Sequence, residues 1–112
     1  MVNRNAVVVK AKTPFLDWTK ALPDPEDSGI TLEQINEEAN VYLLPQYWTV
    51  EKRKKIQEQF YLTIFEMELF GWWTDEADWP RNRDLKMFHQ WFDLELYTVI
   101  EDLVDEPLLD DD

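Results

Sequence analysis

The spacing of apolar positions changes several times along this chain, and each change marks a new element. Ala6 to Ala11 carries the β-branched run Val7-Val8-Val9, which puts apolar groups on both faces of a pleat and predicts a short central strand. Thr13-Pro14 then opens a helix: a hydroxyl for the first-turn amides, followed by a proline whose missing N–H is not needed there. Phe15, Trp18 and Leu22 recur at helical spacing before Pro23 stops the element. Thr31 with Gln34 reads as a capping box for a brief helix to about Glu38. Val41 to Leu44 predicts a second strand, which Pro45 confines to an end or an edge.

The longest element starts at Thr49, an N-cap, and runs from Val50 to Phe70. Ile56, Phe60, Ile64 and Met67 form one stripe, broadened by Tyr61, Phe65 and Leu69. Gly71 is expected in the left-handed conformation that ends many helices, with Trp72 folding back. Leu85, Phe88 and Phe92 predict a further helix with Trp91 beside the stripe, and then the period switches to two. Leu94, Leu96, Thr98 and Ile100 alternate with Glu95, Tyr97, Val99 and Glu101, as in a strand with one buried face. The fold class that follows is α+β: a small sheet of about three strands with helices layered on one side, in the order β-α-(α)-β-α-α-β. One domain over 1–104 is expected, followed by an acidic tail, 105–112, that is mobile or serves as an interaction arm.

Charge narrows the function classes. Among 112 residues there are 24 acids and 11 bases, for a formal charge of −13. No nucleic-acid partner is expected, because neutralising phosphates requires a net excess of Lys and Arg at the contact. Seven of the acids lie at 101–112 with no base among them. The one basic run, Lys52 to Lys55, sits at the positive end of the long helix, where it forms a solvated face or a dock for an acidic tail. No stretch approaches the roughly 20 apolar residues of a bilayer span, so no membrane partner is expected. Zero Cys and the absence of a signal-peptide core point to the cytoplasm.

Catalytic chemistry is thinly represented. Without Cys, and with His89 as the single imidazole, neither a thiolate centre nor a two-histidine metal site can form, and no cofactor, metal or catalytic residue is assigned. Ser28, the only serine, lies outside any strand-turn-helix context. Asp24, Glu26, Ser28 and Gly29 imitate the first half of a calcium loop, but Ile35 stands where the bidentate carboxylate belongs.

Attention therefore falls on the connection from Gly71 to Arg83. Four of the six tryptophans lie between 72 and 91, interleaved with Asp75, Glu76, Asp78, Arg81 and Arg83. Two readings are open. Trp72 and Trp91 are core while the charged residues cap helix ends, or the segment forms a partner groove. In the second reading Trp73 and Trp79 are apolar walls, and Asp78, Arg81, Arg83 and His89 make the polar contacts.

The run Glu68-Leu69-x-Gly71-Trp72, then Asp75-Glu76-x-x-Trp79-Pro80-x-Asn82-Arg83, then Phe88-x-x-Trp91-Phe92-Asp93 resembles a family of short bacterial proteins to which no activity is assigned. The likeness extends back to Arg4-Asn5-Ala6-Val7-Val8-Val9 and stops before the acidic tail. It implies a bacterial, cytoplasmic origin and gives no residue a role. The expectation is a non-enzymatic protein-interaction or regulatory module, with its protein partner unassigned and a homodimer expected because a three-stranded sheet has two open edges. The alternative is a small-ligand-binding protein or enzyme using carboxylates and His89 near a Trp-rich cleft.

Overall fold

The computed structural model describes residues 3–23, 29–47, 49–101 and 103. The acidic loop 24–28 and the tail from 105 onward, with the turn, arm and docking expectations attached to them, lie outside the described residues. Eight elements follow in sequence: β1 (Arg4–Ala11), α1 (Thr13–Lys20), α2 (Leu32–Asn36), β2 (Asn40–Pro45), α3 (Val50–Phe70), a 3₁₀ turn (Glu76–Asp78), α4 (Leu85–Trp91) and β3 (Phe92–Tyr97). This is the small α+β order expected from the apolar periods.

The strands form one antiparallel sheet in the order β2-β1-β3. β1 takes the centre because its valines supply apolar groups to both faces. Its register sets Val7 opposite Tyr42 on one side and Leu96 on the other, and Val9 opposite Asn40 and Leu94. Strand alternation puts these residues on one face, and helices cover it. Val7, Val9, Phe15, Ile64, Phe65, Leu69, Phe88 and Phe92 form the buried core there, joined by Trp79. Aromatic rings carry much of the packing. Phe15 lies 5.3 Å from Phe92 and 6.2 Å from both Trp72 and Trp91, while Phe65 lies 5.4 Å from Phe92 and 5.9 Å from Phe88.

Several local expectations shift. The apolar stripe of α3 is rotated: Ile56, Ile64, Phe65 and Leu69 are buried, but Met67 is 54% exposed, so Phe65 rather than Met67 faces the sheet. Gly71 has φ −63° and is not left-handed. The chain leaves α3 through bonds from the Trp72 and Trp73 N–H groups to the Leu69 carbonyl, 3.0 and 2.9 Å. The left-handed position falls instead at Asn82, φ 57°, where a short amide side chain tolerates it. Lys12, not Thr13, is the N-cap of α1, and Phe92 opens β3 rather than closing the helical stripe before it. α2 packs Ile35 against the core and is bonded to the sheet through Asn36. Asn36 accepts from the Ala11 N–H at 2.8 Å and donates to the Ala11 carbonyl at 3.1 Å, completing the end of β1 as a neighbouring strand would.

Candidate functional site

The Trp-rich connection folds inward upon itself. Asp75 accepts from the Ala77 N–H at 3.0 Å and caps the 3₁₀ turn. That turn presents Asp78 to two indoles: Trp73 Nε1 donates to its carboxylate at 2.9 Å and Trp18 Nε1 to its carbonyl at 2.9 Å. Trp79 is 7% exposed, and its Nε1 donates to the Trp73 carbonyl at 2.8 Å. Arg83 stacks over the Trp79 ring at 5.6 Å, donates to the Pro80 carbonyl at 2.9 Å and meets Glu66 of α3 at 3.3 Å. Of the residues expected to line a groove, Trp73, Asp78, Trp79 and Arg83 are thus gathered into one fastening between α1, α3 and the chain leading to α4. Three indole N–H groups that would otherwise be costly to bury find acceptors within it.

Arg81 and His89 stand apart from this fastening. Arg81 is exposed. His89, at the end of α4, is also exposed and lines an open concavity with Lys12, Arg53, Gln57 and Asp93, none of them from the Trp-rich connection. The carboxylates Asp75 and Asp78 are engaged in the connection, so the structure does not bring them together with His89 there.

Two features escaped sequence reasoning. The first is Glu68, which falls among the core positions of α3 and is 8% exposed. Asn40 Nδ2 donates to its Oε2 at 2.6 Å, and Tyr42 lies close enough for the two groups to influence each other's acidity. Burial pushes Glu68 above the ordinary carboxylate range, against the opposing pull of those two neighbours, and pushes the Tyr42 phenol upward as well. Beside it lies a cavity of about 50 Å³, lined by Asn36, Asn40, Glu68, Trp72 and neighbours, with room for a water or two. Glu68 sits at helical spacing with Ile64 and Phe65, and that spacing was the available signal.

The second is the make-up of the sheet face that none of the described helices covers: helices layered on one side implied such a face, but not which residues occupy it. Register places Ala6, Val8 and Lys10 of β1, Val41 and Leu43 of β2, and Glu95 and Tyr97 of β3 on it. Val41 is 58% exposed, Leu43 52% and Tyr97 50%. Ala6, flanked by Leu43 and Tyr97, is 7% exposed. A salt bridge of 2.9 Å joins Lys10 to Glu95, and Tyr97 donates to Glu95 at 3.0 Å. These bonds hold the Glu95 carboxyl below its ordinary range and raise Lys10. A second apolar surface, on α3, exposes Met67 and Phe70 around an open concavity of about 320 Å³ that reaches Trp79.

Comparison with protein-family models, curated proteins and solved structures gives no match for this chain. Among the described residues, no helix is long and apolar enough to cross a membrane.

Proposed function

We propose that this chain is a non-enzymatic protein-interaction module of the cytoplasm, and that the helix-free face of its sheet is the contact surface. One observation carries the reading. Val41, Leu43 and Tyr97 leave half or more of their surface in water on a flat face where neighbouring strands hold them in register. The partner this geometry supports best is a second copy of the chain. Two bare sheet faces stack at about 10 Å, and a Lys10–Glu95 pair on each supplies both charges for a two-fold contact.

Strand geometry gives such a face only roughly 300 Å² per chain, from strands about 4.8 Å apart rising about 3.3 Å per residue. Two copies would bury well under the roughly 1,200 Å² of a standard interface, so the association is weak and reversible. The alternative, a ligand or catalytic site built on the connection's carboxylates with His89, has less support, because Trp73, Asp78, Trp79 and Arg83 are bonded to one another and to the core.

The test is a concentration series of backbone amide NMR spectra. Reversible shifts concentrated at Ala6, Val8, Val41, Leu43 and Tyr97 are expected as the protein is concentrated into the high-micromolar range. Shifts confined to Met67, Phe70 and Trp72 would move the contact to α3 and overturn the assignment.

A further inference from the structure

The concavity that takes in His89 lies where α3 and α4 overhang β3, and it has a chemistry unlike the rest of the molecule. Its volume is about 390 Å³, within the roughly 300–1,000 Å³ range of small-ligand sites. In a chain with 24 acids against 11 bases, its rim carries Lys12 and Arg53 beside the His89 ring, and among the described residues the only carboxylate lining it is Asp93. That carboxylate is already answered: Lys12 Nζ lies 3.5 Å from Asp93 Oδ1 while donating to the His89 carbonyl at 2.9 Å. Arg53 lines the same space from the first turn of α3, whose helix dipole adds to its charge, and Gln57 lines it one turn on.

The floor is apolar. Phe92, Leu94 and Leu96 form it, and Gln57, Leu94 and Leu96 also border a crevice of about 20 Å³ that leads toward Phe60, Tyr61 and Phe88. A cationic rim over an apolar floor selects a ligand with the inverse pattern.

We propose that this concavity binds a small amphiphilic oxyanion, a carboxylate or phosphate monoester carried on an apolar body no larger than one ring. Arg53 clamps the head group through its planar fork of N–H donors, Gln57 completes the shell, Lys12 answers Asp93 beside it, and the apolar part rests on Leu94 and Leu96. This reading is independent of the interaction face, because the lining residues Leu94 and Leu96 point to the helix-covered side of the sheet.

The test titrates the full chain with phenyl phosphate, benzoate, inorganic phosphate and benzyl alcohol, following amide shifts by NMR. Saturable shifts at Lys12, Arg53, Gln57, His89, Leu94 and Leu96 are expected, with dissociation constants of order 1 mM for phenyl phosphate or benzoate. The tighter of the two identifies the head group. Inorganic phosphate and benzyl alcohol, each lacking half of the pattern, bind at least about fivefold more weakly. Arg53→Glu, an exposed change on the helix surface, weakens binding about tenfold or more, whereas Lys54→Glu, on the same helix but outside the lining, changes it by less than about twofold. Amide spectra of the free variants serve as the check that both remain folded. Absence of saturation by any probe up to about 10 mM would overturn the proposal. So would equal losses in the two variants, which mark a diffuse ionic effect, or benzyl alcohol binding as tightly as the anions.

Discussion

The two faces of one three-stranded sheet make opposite use of similar residues. Val7 and Val9 on one face are 1% and 2% exposed, whereas Val41 and Leu43 on the other are 58% and 52% exposed, although all four sit in regular antiparallel pairs. The carboxylates differ in the same sense. Glu68, facing the covered side from α3, is pushed upward by burial, whereas Glu95 on the open side is held down by Lys10. A strand's own sequence thus does not determine which face is buried. What lies over it does, and here α3, α4 and the Trp-rich connection are committed to one side.

The comparison breaks most visibly if the covered side is emptied. Phe65 is 0% exposed at the centre of the aromatic cluster, and Phe65→Ala is expected to cost about 3–5 kcal/mol in chemical denaturation. Trp79→Ala should cost a similar amount, because the ring is buried beneath Arg83 and its N–H is bonded. A loss below about 1 kcal/mol at Trp79 would return the connection to the role of an open groove. Next in size is Asp78→Ala, which strips the acceptor from Trp73 Nε1 and should cost about 1–3 kcal/mol.

Acidity sharpens the contrast without a large energy. The folded state holds the Glu68 proton more tightly than the unfolded chain does, so this group's contribution is fully present below the unfolded carboxylate range and is lost as pH rises through the folded value. Glu95 has the opposite sign: its contribution is present above the unfolded range and is lost as pH falls. Denaturation curves of Glu68→Gln and Glu95→Gln across the acidic range should therefore diverge from the wild-type profile in opposite directions. Deviations of the same sign would contradict the assignment of the two faces. The smallest stability effect is expected on the open side, where Val41→Lys and Leu43→Lys should each cost under about 1 kcal/mol.

Much of this fold was legible in the sequence because the period of apolar residues reports burial directly. The valine run of β1, the alternation through Leu94 and Leu96, and the Ile56 and Ile64 positions of the α3 stripe follow from it, whereas Thr98 and Ile100, expected to continue the last strand, fall beyond its end at Tyr97. The failures share a cause. Phe65 and Met67 flank Ile64 on opposite sides of the helix, so spacing from Ile64 alone leaves open which way the buried face extends, and only the docked partner selects Phe65 over the exposed Met67. Gly71 obeyed its neighbours' hydrogen bonds to Leu69 rather than its own tolerance of positive φ. In the connection, composition left open both a packed segment and a groove, because composition counts donors without revealing their acceptors. Trp18, Trp73 and Trp79 find theirs across up to 60 positions of sequence. That one face would stay outside the helices followed from the expected layering, but the exposure of Val41, Leu43 and Tyr97 on it did not, since a strand carries no mark of which of its residues will be left uncovered.

Sedimentation equilibrium tests the central claim most directly, by comparing the wild-type chain with the double variant Val41→Lys/Leu43→Lys and with Met67→Lys/Phe70→Lys as a control on the other apolar surface. The account predicts that the apparent mass of the wild type rises above 13.5 kDa as concentration enters the high-micromolar range. The sheet-face variant should remain at the monomer mass while keeping its cooperative unfolding, and the α3 variant should associate as the wild type does. A wild type that stays at 13.5 kDa throughout, or a sheet-face variant that associates undiminished, would contradict it.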